Sequence, residues 1–307
     1  MAWKARLKAK AVLLSDGAWG TELVRHGLEA GDTPELWNAE RPDAVEAVAR
    51  GYVDAGSDII LTNTFGGSRW KLDKSGLADR TAELNRLGTA LSRRAAGGRA
   101  LVFASVGPTG EFMAPLGLKP EDDFVACFAE QILACVQAGT DGLVVETMTD
   151  LGEAKAALDA ARQVCDLPVV VSMTFDKGPA GFATMMGVTP EQAAAELDAA
   201  GADIVGANCG SGIDNMIDVA RLLRSATNKP LWIKSNAGMP ELVDGATVFR
   251  ESPEEMASKV GTLVKAGANI IGGCCGTTPD HIRQIAAAAQ ACADTARTVS
   301  AAVLAAL

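Results

Sequence analysis

The chain has 307 residues, 48% of them hydrophobic and 21% charged, and a formal net charge of −10. That is core enough for one large domain of the size α/β barrels use, roughly 250 residues, and too acidic a balance for nucleic acid to be the main partner. Histidine is limited to His26 and His281, which removes most designs built on imidazole, including Ser-His-Asp and Cys-His sites.

The first ten residues are basic, but no apolar segment of signal-peptide length follows them. No stretch is long and apolar enough to span a bilayer. The seven cysteines are an odd number, and the expectation is a cytoplasmic chain with reduced thiols and no membrane partner. Short apolar runs rich in Val, Ile and Leu then recur at 11–15, 58–62, 101–106, 142–146, 168–173, 203–207, 230–234 and 269–272. They do not alternate with polar residues, which is how strands buried on both faces read. Segments with helical spacing lie between and after them, at 42–55, 78–96, 121–138, 151–164, 190–200, 213–225, 253–266 and 279–293. Several open on a helix-start signal, such as Thr189-Pro190-Glu191 and Ser252-Pro253-Glu254. The Ala-rich end, 286–307, reads as a terminal helix.

An internal echo supports the count. Ala55-Gly56-Ser57-Asp58, Ala138-Gly139-Thr140-Asp141, Ala200-Gly201-Ala202-Asp203 and Ala266-Gly267-Ala268-Asn269 each precede an even-numbered strand. The pattern fits a helix closed by a left-handed glycine and a tight turn into the next strand. Eight β-then-α units predict a (β/α)8 barrel, one domain over 1–307. A doubly wound sheet is the alternative, but neither a P-loop nor a G-x-G-x-x-G between strand and helix is present.

In such a barrel the active site is built where the strands end. Gly272-Gly273-Cys274-Cys275-Gly276 follows the eighth run, and Asn208-Cys209-Gly210 the sixth. Two adjacent cysteines alone could be inert core thiols or a vicinal disulfide. With Cys209 on the same rim, three thiolates converge and leave a fourth position open, the arrangement of a catalytic zinc site. Asp16-Gly17-Ala18, after the first run, offers backbone amides as a cradle for a carboxylate, with a helix N-cap by Asp16 as the structural alternative. Glu146 ends the fourth run and is expected to be buried; it needs a partner, either a substrate ammonium or a neighbouring Asn or Thr. Thr64 and Asn208 are further candidate substrate contacts, although Asn63 and Asn208 also read as turn-formers. Together these parts describe a site for a small amino acid carrying a thiol, suited to alkyl transfer onto sulfur more than to hydrolysis.

Asp16-Gly17-Ala18-x-Gly20-Thr21, Thr62-Asn63-Thr64-Phe65, Gly206-x-Asn208-Cys209 and Gly272-Gly273-Cys274-Cys275-Gly276 resemble the zinc-dependent homocysteine S-methyltransferases, over about residues 8–293. The resemblance implies a (β/α)8 barrel with Cys209, Cys274 and Cys275 as zinc ligands and catalytic residues. It also implies homocysteine held by Glu146 and by the backbone at Gly17 and Ala18, with methionine as product. Gly107-Pro108-Thr109-Gly110-Glu111-Phe112, Asn236-Ala237-Gly238-Met239-Pro240 and Gly276-Thr277-Thr278-Pro279 are more similar to the homocysteine domain of cobalamin-dependent methionine synthases than to the betaine- or S-methylmethionine-using branches. That branch implies Asn236 as an additional zinc ligand before substrate arrives; Ser235 stands where it usually has proline. Those synthases continue into further domains, whereas this chain ends soon after the barrel. The donor expected is therefore methylcobalamin or another methyl-corrinoid on a separate corrinoid protein, with betaine or S-methylmethionine as the small-donor alternative. A non-catalytic zinc or thiol-binding subunit of a methyl-transfer system is a different class of reading; a metal-dependent lyase or hydrolase has too few His and carboxylate ligands.

Overall fold

The computed structural model describes residues 2–243 and 246–307. Its frame is eight strands: β1 (Leu13–Leu14), β2 (Ile59–Leu61), β3 (Leu101–Val106), β4 (Gly142–Met148), β5 (Val169–Met173), β6 (Ile204–Cys209), β7 (Leu231–Ser235) and β8 (Ile270–Gly273). They form one parallel sheet in the order β1-β8-β7-β6-β5-β4-β3-β2. Each is followed by a helix that returns the chain to the other end: Pro42–Asp54, Thr81–Ala96, Glu121–Gln137, Leu151–Val164, Pro190–Ala199, Ile213–Ala226, Pro253–Lys265 and Pro279–Ala291. The strands are buried on both faces, as their unbroken apolar runs require. This is the expected (β/α)8 barrel.

Seven seams of the barrel are backbone ladders, the one between β4 and β5 with a register shift between Val145 and Met148; the eighth, between β1 and β2, is closed largely by carboxylates. Asp58 N–H donates to the Leu14 carbonyl at 2.8 Å. The Asp58 side chain accepts from the Leu14 amide at 3.1 Å, and Asp16 accepts from the Leu61 amide at 2.7 Å. The sequence echo has the same physical content at all four of its copies. Its glycines, Gly56, Gly139, Gly201 and Gly267, have φ of 105°, 87°, 91° and 106°, so each helix ends in the left-handed turn that only glycine adopts freely. Its last residue then reaches sideways to the preceding odd strand: Asp58 to Leu14, Asp141 to Val102, Asp203 to Val169 and Asn269 to Leu231, accepting a backbone amide each time. A cation from a neighbouring helix sits on each of these side chains, namely Lys10, Arg93, Arg162 and Arg224. The N-terminal face of the barrel is thereby stapled four times.

The interior below the site is filled by Trp3, Leu7, Phe103 and Trp232, with the Phe103 and Trp232 rings stacked at 6.3 Å. Trp3 and Leu7 come from a helix, Ala2–Lys10, which sequence periodicity leaves unassigned because its basic residues give it little apolar face. Two short hairpins, Asp176–Gly178 with Gly181–Ala183 and Glu241–Val243 with Ala246–Val248, project from the loops after β5 and β7. The Ala-rich tail differs from the single helix expected over 286–307. It runs as the end of Pro279–Ala291, then Ala293–Val299 and Ala301–Ala306, because buried Ser300 turns inward to accept a hydrogen bond from Asn269 at 2.6 Å. Among the described residues no helix is long and apolar enough to cross a membrane.

Candidate active site

The last residues of β6 and β8 bring three thiols to one point on the C-terminal rim. Cys209, Cys274 and Cys275 Sγ atoms all lie within 4.8 Å of one another, and Cys209 and Cys274 approach to 2.9 Å. No disulfide joins them; all three are free and half-buried. Cys209 reaches this point through a left-handed backbone, φ 64°, matched across the rim by Thr147 at φ 62°. Non-glycine residues hold that conformation only when their surroundings enforce it. Asn208 does so here. Its carbonyl oxygen accepts from the Thr147 amide at 2.9 Å and from Ser172 Oγ at 2.7 Å, while its Nδ2 donates to Thr147 Oγ1 at 2.7 Å. The same Nδ2 faces the Cys209 and Cys274 sulfurs at 3.6 and 3.9 Å.

The loop after β1 is tied to the loop after β8. Ala18 N–H donates to Thr277 Oγ1 at 3.1 Å, Thr277 Oγ1 donates to the Cys274 carbonyl at 2.7 Å, and Tyr52 OH donates to the Ala18 carbonyl at 2.6 Å. The close approach explains two glycines: a Cβ on Gly17 would stand 2.6 Å from Tyr52, and one on Gly273 would stand 2.2 Å from Thr277 Oγ1.

A cavity of about 370 Å³ opens above the thiols. Glu146 lines it, 7% exposed. Burial pushes its pKa up to about 7, opposed by the nearby Lys234 ammonium and by the hydrogen bond donated from Ser105 Oγ. Two further charged residues line the cavity that sequence reading did not single out. Lys234, at the end of β7, is buried and pairs with Asp16 Oδ1 at 2.6 Å. Glu35, on the short turn Pro34–Leu36, accepts from the Gly66 amide at 2.6 Å, and burial raises its pKa. Lys234 carried the same signal that marked Glu146, a charge ending an apolar run. Glu35 lies in a loop with no periodicity to mark it.

Of the residues singled out in the sequence, Gly17, Ala18, Glu146, Cys209, Cys274 and Cys275 line this cavity; Asp16, Thr64, Asn208 and Asn236 do not. Asp16 caps no helix, since the next one begins at Gly20 with Trp19 at its N-cap. Its two oxygens instead serve Ser15, Lys234, Trp19 and Leu61. Thr64 turns inward to donate to the Ser105 carbonyl at 2.7 Å. Asn63 does more than form a turn: its amide nitrogen reaches Pro34 O and Asn38 Oδ1. Of the expected carboxylate cradle, the Ala18 amide is already committed to Thr277.

The donor set fits a metal ion. A tetrahedral zinc about 2.3 Å from each sulfur sets sulfurs about 3.8 Å apart, so Cys209 and Cys274 are closer than an ion would hold them while the trio as a whole spans the right size. Hydrogen bonds from Cys209 and Cys274 hold the Cys275 thiol well below its ordinary range, and hydrogen bonding to Cys274 and Cys275, with burial, holds Cys209 well above. In the loop after β7, Asn236 Nδ2 donates to the Gly210 carbonyl at 2.6 Å, while its buried Oδ1 has no hydrogen-bond partner among the described residues. The Ser235 carbonyl accepts from Cys274 N–H and Ala237 N–H donates to the Cys275 carbonyl, so this orphaned oxygen belongs to the loop tied to two of the cysteines.

Residues 13–289 match the family model described as homocysteine S-methyltransferase. The chain is 33% identical over 304 residues to a methionine synthase of Mycobacterium leprae, covering 93% of this chain and 25% of that protein. It is 32% identical over 298 residues to the methionine synthase of Mycobacterium tuberculosis, with 91% and 25% covered. It therefore spans about a quarter of the length of these curated relatives. Among solved structures, the metallated form of the homocysteine methyltransferase MmuM from Escherichia coli is similar at a TM-score of 0.77 and 25% identity, over 92% of this chain and 98% of that one.

Proposed function

The chain belongs to the homocysteine S-methyltransferase family, and from that premise we propose that it methylates the sulfur of homocysteine to give methionine, using zinc held by Cys209, Cys274 and Cys275. The observation that carries this reading is the convergence of the three sulfurs within 4.8 Å, on a cavity that a buried carboxylate also lines. Asn236 Oδ1 is suited to complete the metal's shell before the acceptor enters. A free thiol has a pKa of about 8.5 and is mostly protonated at neutral pH; zinc supplies the loss of that proton.

The protein's own groups do the rest. Glu146 receives the acceptor's ammonium, which favours the ionised form of a carboxyl poised near 7. Asn208 keeps Cys209 and Thr147 in their left-handed poses and turns an N–H toward two of the sulfurs. Trp19 and Phe65, on the cavity wall, keep water from the reacting sulfur. The new S–CH3 bond forms as the bond from the methyl group to its donor breaks, and the leaving group takes that electron pair.

For the donor we propose a methyl-corrinoid presented by a corrinoid-carrying protein. The likeness to methionine synthases supports it, and so does the rim. Phe112, Leu116, Leu118, Met185, Met239 and Leu242 are large, apolar and exposed, and all lie in loops after β3, β5 and β7. Such a surface suits a macromolecular donor; a small cation such as betaine or S-methylmethionine needs only the cavity. The test is zinc-loaded protein with homocysteine and each of methylcobalamin, betaine and S-methylmethionine in turn. Turnover is expected with the corrinoid, and about one zinc per chain. Cys275→Ala is expected to lose both the metal and the activity. Full zinc content and turnover in that variant overturn the assignment; zinc without turnover on any donor supports a binding subunit instead.

A further inference from the structure

An amino-acid thiol presents three groups to a protein: sulfur, ammonium and carboxylate. The proposed function, on which this inference rests, places the first at the three cysteines and the second at Glu146. The third is left with half of the backbone cradle, the Gly17 amide on the cavity wall, because the Ala18 amide already donates to Thr277 Oγ1, and a lone amide supplies no charge. Yet the cavity wall contains a cation. Lys234 is the penultimate residue of β7, in register with Asn208 of β6 and Gly272 of β8, on the strand that lies between the two whose ends carry the thiols. Its side chain is 3% exposed, and the residue lines the cavity. Among the described residues lining that cavity it is the one Lys, Arg or His.

We propose that Lys234 holds the α-carboxylate of the acceptor. An ammonium has three N–H donors. Asp16 Oδ1 takes one, at 2.6 Å, and among the described residues this is the side chain's one hydrogen bond. Glu146 is not within ion-pair distance of Lys234, whose partner is Asp16. The two donors left over are therefore available to a ligand. Asp16, held in turn by Leu61 N–H and Trp19 Nε1, fixes where the ammonium stands. The site then reads a zwitterion with two neighbouring charges, carboxylate at β7 and ammonium at β4, with the sulfur at the ends of β6 and β8. Gly272 belongs to the same device: a Cβ there would meet the Asp16 carbonyl at 2.7 Å and the Lys234 side chain at 3.3 Å.

The competing role is structural: Lys234 and Asp16 could be no more than a buried pair in the cavity wall. The two roles separate when the acceptor has no carboxylate. Homocysteine and 3-mercaptopropylamine, the same molecule without that group, are compared on zinc-loaded wild type, Lys234→Met and Lys234→Arg, by KM and by calorimetric binding. A charged hydrogen-bonded contact is worth about 10- to 100-fold in affinity. Wild type is expected to prefer homocysteine by about that factor. Measured at about pH 9, where the further rise of the Glu146 pKa on losing the ammonium does not enter, Lys234→Met is expected to lose the preference by weakening homocysteine by about that factor more than the amine, while Lys234→Arg recovers part of it. Removing the lysine leaves Asp16 buried and unpaired, so the Asp16→Asn/Lys234→Met double variant is measured beside it, where both partners are neutralised together. Equal weakening of both acceptors, or an unchanged preference, overturns the proposal. Carboxylate-dependent binding without turnover by wild type keeps it and sinks the methyl-transfer reading. Failure of wild type to bind homocysteine sinks both.

Discussion

Glu146 is a group at this site whose charge changes near neutral pH. Burial is the main cause of its rise from 4.5 to about 7, and the Lys234 ammonium limits it. A carboxylate binds the acceptor's ammonium and a protonated carboxyl does not. The KM for homocysteine is therefore expected to fall between about pH 6 and 8, bending near 7, and Glu146→Gln to raise it about 10-fold or more and flatten the bend. The acceptor's own thiol titrates higher and in both proteins, so the difference between the two KM profiles isolates the carboxyl. An identical bend in Glu146→Gln would assign the titration elsewhere. The same shift acts on stability with a fixed sign. A pKa raised on folding contributes stability that is complete below the unfolded value and lost as pH rises through the folded one. Substrate-free wild type should accordingly weaken relative to Glu146→Gln between about pH 4.5 and 7, by no more than about 3 kcal/mol, as read from urea midpoints. Glu146 was legible in the sequence because a charge at the end of an apolar run has to be answered by something. Lys234 obeyed the same rule and stayed hidden, since a lysine closing a strand more often reaches solvent along its stem.

At the level of elements, the strands were legible because burial on both faces leaves no polar residue to blur their limits; the run at 101–106 is β3 to the residue. What sequence spacing could not convey was how the barrel closes. β1 is two residues long, too short to build a ladder on both sides, and the carboxylates that complete its second seam come from Asp16 and Asp58, residues that read as a helix cap and as the start of an apolar run. The hairpins after β5 and β7 were hidden because a few exposed polar residues have no period to detect. The three sulfurs, by contrast, followed from topology: parallel strands end on one rim, so cysteines far apart in sequence meet. The four-fold echo was visible as a turn and invisible as a staple. If its last residue is there to bind the neighbouring strand, Asp203→Ala should destabilise the barrel by about 1–3 kcal/mol, because it leaves the Val169 amide and Arg162 short of an acceptor. Asp203→Asn, which keeps an acceptor, should lose less. Asn269→Ala should add to Asp203→Ala almost independently, the two staples sharing no partner. Urea midpoints decide this, and wild-type stability in Asp203→Ala would reduce the echo to a turn signal alone.

Across the whole molecule the two ends of the barrel do different work, as the fold in general separates a chemical face from a stabilising one. Trp3 is 2% exposed and packs in one cluster with Leu101, Ile204 and Ile270, the first residues of β3, β6 and β8. The thiols stand at the other ends of β6 and beyond β8. Leu101 and Ser105, the partner of Glu146, are four residue steps apart along β3, a span of about 13 Å. Between them lie fully buried side chains that a cavity at one end leaves in place. Trp3→Ala is expected to cost about 3–5 kcal/mol of stability, as large-to-small changes in cores do, and to lower the melting temperature by about 5–8 °C. Zinc content and the KM for homocysteine are expected to stay within twofold of wild type at temperatures where the variant is folded. The pair of measurements tests the separation directly, because a loss of acceptor affinity that tracks the loss of stability would mean that packing at the base sets the positions of Glu146 and Lys234, and that the barrel behaves as one mechanical unit from plug to rim.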